Sequence, residues 1–148
     1  NINLSVVIVG DGPLVKEVEA FVKIYNVEYY RHLEQSKLPQ IYQTLDLFIF
    51  PTTRITESLG LVGLEAMACG VPVVAYDVGG PSDYISHCYD SYLVPKGDIN
   101  ELQRVVLGYS KLTLCQRNTL SVRAILKANQ YCSEKVNFEL SSFFCKVI

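Results

Sequence analysis

The chain has 148 residues, of which 49% are hydrophobic and 19% charged, a balance that gives a folding domain enough apolar surface for one packed core and excludes an intrinsically disordered chain. A formal net charge of −2 and scattered Lys and Arg exclude a nucleic-acid-binding surface, which needs clustered cations. No apolar run reaches the roughly 18 residues of a membrane span, and the amino end lacks the charged-then-apolar layout of a signal peptide.

In chain order, Leu4 to Val9 is a continuous apolar, β-branched run that predicts a strand buried on both faces, with its exit turn at Gly10-Asp11-Gly12-Pro13. Leu14, Val18, Val22 and Tyr25 recur as one stripe of a helix, and Pro13 suits its first turn. Val27 to Tyr30 reads as a second strand, Ser36 to Thr44 as a short helix, and Leu47 to Phe50 as a third strand stopped by Pro51. A polar loop from Thr52 to Ser58 leads into a helix from Gly60 to Cys69, which Gly70 terminates as a C-cap. Pro72 to Ala75 is a buried strand, Gly79-Gly80-Pro81 a turn, Tyr92 to Val94 a last short strand, and Asp98 to Glu101 has capping-box spacing. The remainder reads as helical, with a break at Lys127 to Tyr131. Ser133 then caps a terminal helix whose Val136, Leu140, Phe143 and Phe144 form an apolar face, through which some self-association is expected. Alternating strands and helices predict an α/β fold, a Rossmann-like parallel sheet flanked by helices.

The five cysteines, Cys69, Cys88, Cys115, Cys132 and Cys145, are odd in number and lack a C-x-x-C pair. They read as reduced thiols of a cytoplasmic protein, packed as small apolar residues in or near the core. None of the six Asp residues forms a D-x-D pair, and His32 and His87 have no ligand spacing, so no metal is expected.

Open parallel sheets bind ligands beyond the carboxyl ends of their strands, where helix N-termini offer free N–H groups. Gly10-Asp11-Gly12 has that position, but Val15 stands where G-x-G-x-x-G needs its third glycine, so a plain tight turn fits it as well. The loop from Pro51 to Gly60 is more specific. Glu57 and Glu65 bracket Ser58-Leu59-Gly60-Leu61-Val62-Gly63-Leu64. On one helix that separation would give about 12 Å of rise and about 80° of rotation, too far for a catalytic pair spaced at about 5 Å. The two carboxylates therefore serve different parts of one long ligand, Glu57 near the reacting carbon and Glu65 at a more distant diol such as a ribose. Taken alone, Glu65 fits a solvated helix carboxylate better. Gly60 lets the backbone approach the ligand closely.

The run from Glu57 through Glu65 to Ala75, followed by Gly79-Gly80, closely resembles the E-x7-E region of GT-B glycosyltransferases of family 4. Val6 to Pro13, Leu45 to Pro51 and Tyr92 to Asp98 are similar to further segments of that family in register, so the resemblance covers nearly the whole chain. It implies that residues 1–148 are the carboxyl-terminal, nucleotide-sugar-binding half of a GT-B enzyme. The intact protein would be a retaining glycosyltransferase using a nucleoside-diphosphate sugar, and this fragment alone would be inactive. By the same resemblance Glu57 binds and polarises the donor sugar, backbone N–H groups of Leu59, Gly60 and Leu61 hold sugar hydroxyls or phosphate, Glu65 takes the ribose, and Gly10 and Gly12 line the donor site. No metal or other cofactor is implied.

Three departures bear on specificity. Leu59 stands where the family has Phe, Tyr29-Tyr-Arg31-His-Leu33 replaces a glycine-containing loop near the base, and the family's diphosphate-binding Arg and Lys have no counterpart in the chain. Those cations are expected upstream, together with an amino-terminal acceptor domain, since the chain opens on Asn1 directly before an apolar strand; Arg54 and Lys16 are substitutes that fit solvated surface residues better. The implied acceptor is a glycan or a lipid-linked chain, as in polysaccharide biosynthesis, which allows peripheral attachment of the intact protein at the inner face of a membrane. A non-catalytic nucleotide-sugar-binding module and one half of a nucleotide-sugar epimerase are the alternatives. Retention of both Glu57 and Glu65 favours transfer.

Overall fold

The computed structural model describes residues 4–56 and 58–132. Contacts divide the chain into two compact units, with the boundary between Gln40 and Ile41.

In the first unit, β1 (Val6–Val9) and β2 (Val27–Tyr30) pair in parallel with Val6 opposite Val27 and Val9 opposite Tyr30, and α1 (Val15–Ile24) is the crossover between them. Gly10 N–H continues the ladder onto the Tyr30 carbonyl at 3.0 Å. α1 turns Val15, Val18 and Val22 inward, while Leu14 and Tyr25 stay exposed. The expectation that the first strand is buried on both faces is corrected here: Val6 and Val9 are 40% and 41% exposed, and no described residue of this unit is buried. An apolar run reports a strand's need for cover, and β1 shares a ladder with β2 alone among the described residues. Pro13 also lies outside the helix. It sits in a turn closed by Val15 N–H on the Gly12 carbonyl, and Leu14 is the N-cap. Beyond β2 a 3-10 turn (Gln35–Lys37) runs into α2 (Leu38–Tyr42), in place of one continuous helix to Thr44.

The second unit holds a three-stranded parallel sheet in the order β3 (Phe48–Phe50), β4 (Val73–Tyr76), β5 (Tyr92–Val94). β4 is central and every one of its residues is buried, as its unbroken apolar run predicts. Val74, Tyr76 and Val94 form a core against which Leu47, Val78, Tyr92, Leu102 and Val105 pack. α3 (Leu61–Ala68) connects β3 to β4 and buries Gly63, Leu64, Ala66 and Met67. Its end is a Schellman motif: Gly70, at φ 80°, donates to the Met67 carbonyl at 2.9 Å and Val71 to the Ala66 carbonyl at 3.0 Å. The Gly79-Gly80-Pro81 segment is more than a turn, because Gly80–Tyr84 forms α4 with Pro81 in its first turn, where a missing N–H is harmless.

α5 (Ile99–Ser110) starts with half of the expected capping box. Asp98 accepts from Glu101 N–H at 2.9 Å, but the Glu101 carboxylate pairs with Arg104 instead of reaching back. A full box, unread in the sequence, opens α6 (Leu114–Ala128), where Thr113 and Gln116 bond reciprocally. The break expected at Lys127 is a 3-10 turn over Asn129–Tyr131, and the helix expected after Ser133 and its self-associating face lie outside the described residues. Tyr109 on α5 donates to the Asp46 carbonyl at 2.7 Å, with the Arg117 guanidinium 5.1 Å from its ring centroid, so α5 and α6 are fastened to the segment entering β3. No described helix is long and apolar enough to cross a membrane.

Two of the cysteines are less buried than expected. Cys69 and Cys132 are partly buried, Cys88 and Cys115 are exposed, and Cys145 is outside the described residues. Cys88 has φ 61°, the left-handed region that costs a side-chain-bearing residue roughly 1–2 kcal/mol. Cys88→Gly removes that strain and loses little packing, and part of the gain is returned as backbone entropy. The expected result is a stability increase of about 0.5–1 kcal/mol, read as a higher urea midpoint at unchanged slope; a lower midpoint would show that the thiol's contacts outweigh the backbone strain.

Candidate functional site

The loop leaving the carboxyl end of β3 meets the start of α3 at Gly60, and three glycines set its shape. Gly60 is buried at φ 66°, ψ 53°, a left-handed conformation that glycine adopts without penalty, and a Cβ there would stand 2.9 Å from the Phe50 ring. Its carbonyl accepts from the buried Tyr84 hydroxyl at 3.3 Å. A Cβ on Gly63, one turn later, would collide with that same hydroxyl. At Gly80, which opens α4, a Cβ would meet Leu59 backbone atoms at 2.4–2.6 Å. The loop after β4 is therefore pressed onto the loop after β3, and both lie at the carboxyl edge of the sheet.

Of the residues expected to contact a ligand, Leu59 is partly buried against Gly80, and Leu61 is 62% exposed as the first residue of α3. Gly63 N–H folds back onto the Gly60 carbonyl at 2.9 Å. The N–H groups of Leu61 and Val62, in the first turn, have no intrahelical acceptor by the geometry of an α-helix and carry its positive dipole end. Glu65 follows one turn further on. It is partly buried, and its Oε2 accepts a 3.1 Å hydrogen bond from the Tyr42 hydroxyl, so it is not the solvated carboxylate that its sequence position also allowed. Burial, and next the Glu65 charge, push the Tyr42 phenol well above its usual range, so that it remains a donor at any working pH. Glu57 lies outside the described residues.

Gly10 and Gly12 belong to the first unit, and both are exposed. Gly10 has φ 141°, which favours glycine, whereas no atom lies within 4 Å of a Cβ built on either residue. The turn is held by side chains. Tyr29 donates to the Gly10 carbonyl at 3.0 Å, and Asp11 accepts from Gly12 N–H at 2.7 Å and from Arg31 Nε at 3.0 Å. The Arg31 hydrogen bond, and then that of Gly12, hold the Asp11 carboxyl below its ordinary value. Arg54 and Lys16 are exposed. His87 accepts from Leu93 N–H at 3.1 Å through Nδ1, and among the described residues no three His, Cys, Asp or Glu side chains gather in a metal-holding group.

Of the expected site residues, Leu59, Gly60, Leu61 and Glu65 lie together in the second unit. Tyr42, Phe50, Gly80 and Tyr84 hold them and are not among the residues expected at the site. Gly79-Gly80 carried a signal, read as a turn; the aromatic partners carried none beyond apolar character.

Residues 1–118 match the family model described as Glycosyl transferases group 1. The 2-deoxystreptamine N-acetyl-D-glucosaminyltransferase of Streptomyces fradiae is 37% identical over 101 residues, which is 66% of this chain and 24% of that protein. The N-acetyl-alpha-D-glucosaminyl L-malate synthase of Bacillus anthracis is 29% identical over 150 aligned positions, covering 99% of this chain and 39% of that protein. Among solved structures, that of Anabaena HepE in complex with UDP-glucose superposes with a TM-score of 0.74 at 26% identity, over 92% of this chain and 40% of HepE. The chain thus spans a quarter to two fifths of the length of these proteins.

Proposed function

The chain belongs to the glycosyl transferases group 1 family, and on that premise we propose that it is the nucleotide-sugar-binding half of a retaining GT-B glycosyltransferase of the E-x7-E type. The observation that carries the reading is the Gly60 junction: a left-handed glycine at the carboxyl edge of a parallel sheet opens a helix whose first N–H groups suit an anionic or hydroxyl-rich ligand, with a fixed carboxylate one turn beyond. In this reading the backbone of Leu59, Gly60 and Leu61 holds the sugar hydroxyls or the phosphate, and Glu65 accepts from the ribose diol. Glu57 binds the donor sugar and favours charge development at its anomeric carbon. The bond from that carbon to the diphosphate breaks, a bond to the acceptor oxygen forms on the same face, and the acceptor proton leaves with the nucleoside diphosphate. A neighbouring fold solved with UDP-glucose supports this donor class.

The diphosphate cations and the acceptor site are assigned to the part of the protein beyond this chain, as are any contacts to a glycan, a lipid-linked acceptor or a membrane surface. Two relatives named for different acceptors, 2-deoxystreptamine and L-malate, are consistent with acceptor choice lying there.

The test is calorimetric titration of the full-length protein with UDP, GDP and ADP and their glucose and mannose conjugates. One base is expected to bind selectively, and Glu65→Ala is expected to weaken it roughly tenfold, the value of one hydrogen bond to a charged group. Absence of binding by every nucleotide would overturn the proposal.

A further inference from the structure

We propose that Tyr42 is a positioning residue that presets the Glu65 carboxylate for the donor's ribose diol. The proposal rests on the reading of Glu65 as the ribose contact.

The two residues stand 23 positions apart, on α2 and α3, and meet because β3 runs between these helices in sequence. Tyr42 is 5% exposed, and its ring is held edge-on by Phe48 of β3, with centroids 5.7 Å apart and planes at 86°. Phe48 stacks in turn on Phe50 at 6.3 Å, and Phe50 is the ring that closes over Gly60. One aromatic row therefore fixes both the hydroxyl that grips Glu65 and the glycine that opens α3.

A glutamate side chain on a helix surface loses rotamer entropy when a ligand immobilises it. Here the Tyr42 bond has already restricted it before any ligand arrives. A carboxylate offers about four lone-pair sites, and Tyr42 occupies one on Oε2, so enough remain to accept from two vicinal hydroxyls. Burial, and next the Glu65 charge, raise the pKa of the phenol, so its O–H remains available to donate to Glu65.

A bond that merely ties α2 to α3 would look the same, and the ligand distinguishes the two roles. In the full-length protein, affinities are measured for whichever of UDP, GDP and ADP binds best and for its 2′,3′-dideoxy counterpart, with wild type, Tyr42→Phe, Glu65→Ala and the double variant. Tyr42→Phe keeps the ring and its packing. We expect wild type to prefer the ribonucleotide, Tyr42→Phe to bind it about fivefold more weakly with the dideoxy affinity unchanged, and Tyr42→Phe to add nothing on the Glu65→Ala background. Equal weakening of both nucleotides, or weakening of neither, with wild-type discrimination intact and Glu65→Ala abolishing it, would overturn the role of Tyr42 and leave that of Glu65 standing. If wild type itself does not distinguish the two nucleotides, the ribose reading of Glu65 fails and takes the positioning role with it.

Discussion

Gly80→Ala is expected to lower the unfolding free energy by about 2 kcal/mol and to abolish nucleotide binding. Two effects oppose each other. Alanine in a helix is favoured over glycine by about 1 kcal/mol, which by itself predicts a more stable α4. Against that, the new Cβ would sit 2.4–2.6 Å from Leu59 Cα, carbonyl carbon and oxygen, and a main chain cannot rotate aside as a side-chain tip can. Overpacking of this kind costs about 1–3 kcal/mol and occasionally more, and here Gly80 is buried against the Leu59 main chain, so the steric term wins. Relief requires the loop after β3 to retreat, and that loop carries the N–H groups proposed to face the ligand. Urea unfolding and nucleotide titration read the two consequences separately. An unchanged midpoint would show that the two loops are not tightly apposed.

The second large effect is expected at Asp90, whose side chain is fully buried in the turn between α4 and β5. Its Oδ1 accepts from Ser86 N–H at 3.0 Å, while Oδ2 has no hydrogen-bond partner among the described residues. Burial raises its pKa above the ordinary 3.8, against smaller lowering by the Ser86 hydrogen bonds and the Lys127 charge. A carboxyl that binds its proton more tightly folded than unfolded stabilises the fold at low pH. That contribution is complete below the unfolded value and is lost as pH rises to the folded one. Asp90→Asn keeps the acceptor and removes the buried charge. We expect it to be more stable than wild type by about 2 kcal/mol at pH 7, with the difference disappearing below about pH 3.8. Urea midpoints of both proteins across that range test the sign directly, and a variant less stable than wild type at pH 7 would show that the ionised form is favoured by partners.

Much of the architecture was legible because its signals are local. β2 and β5 fall on the residues expected, since each is a short apolar run between polar or glycine-rich segments. α3 begins and ends at glycines whose positive φ angles require them. The Thr113 capping box is equally local, but the mixed polarity of the surrounding stretch hides it. What escaped depends on distance along the chain. Nothing near Tyr42 announces Glu65, and nothing near Asp46 announces Tyr109, because a strand must first bring the partners together. Burial of Asp90 ran against the rule that turns face water, and the exposure of β1 ran against its own composition. The site shows the same division: the residues read as ligand-facing form one sequence motif, while those that hold them come from β3, α2 and α4.

β4 carries four consecutive buried residues and a strand on either side, whereas β1 shares its ladder with β2 alone among the described residues. Amide protons of the two strands therefore leave by different routes. Those along Val73–Tyr76 exchange with deuterium only when the second unit unfolds as a whole, and those along Val6–Val9 are released when a single strand pair frays. The loops that enter and leave β4, the latter pressed onto Leu59, are thus anchored to the slowest-exchanging strand among the described residues, and the Gly10 turn to one of the fastest.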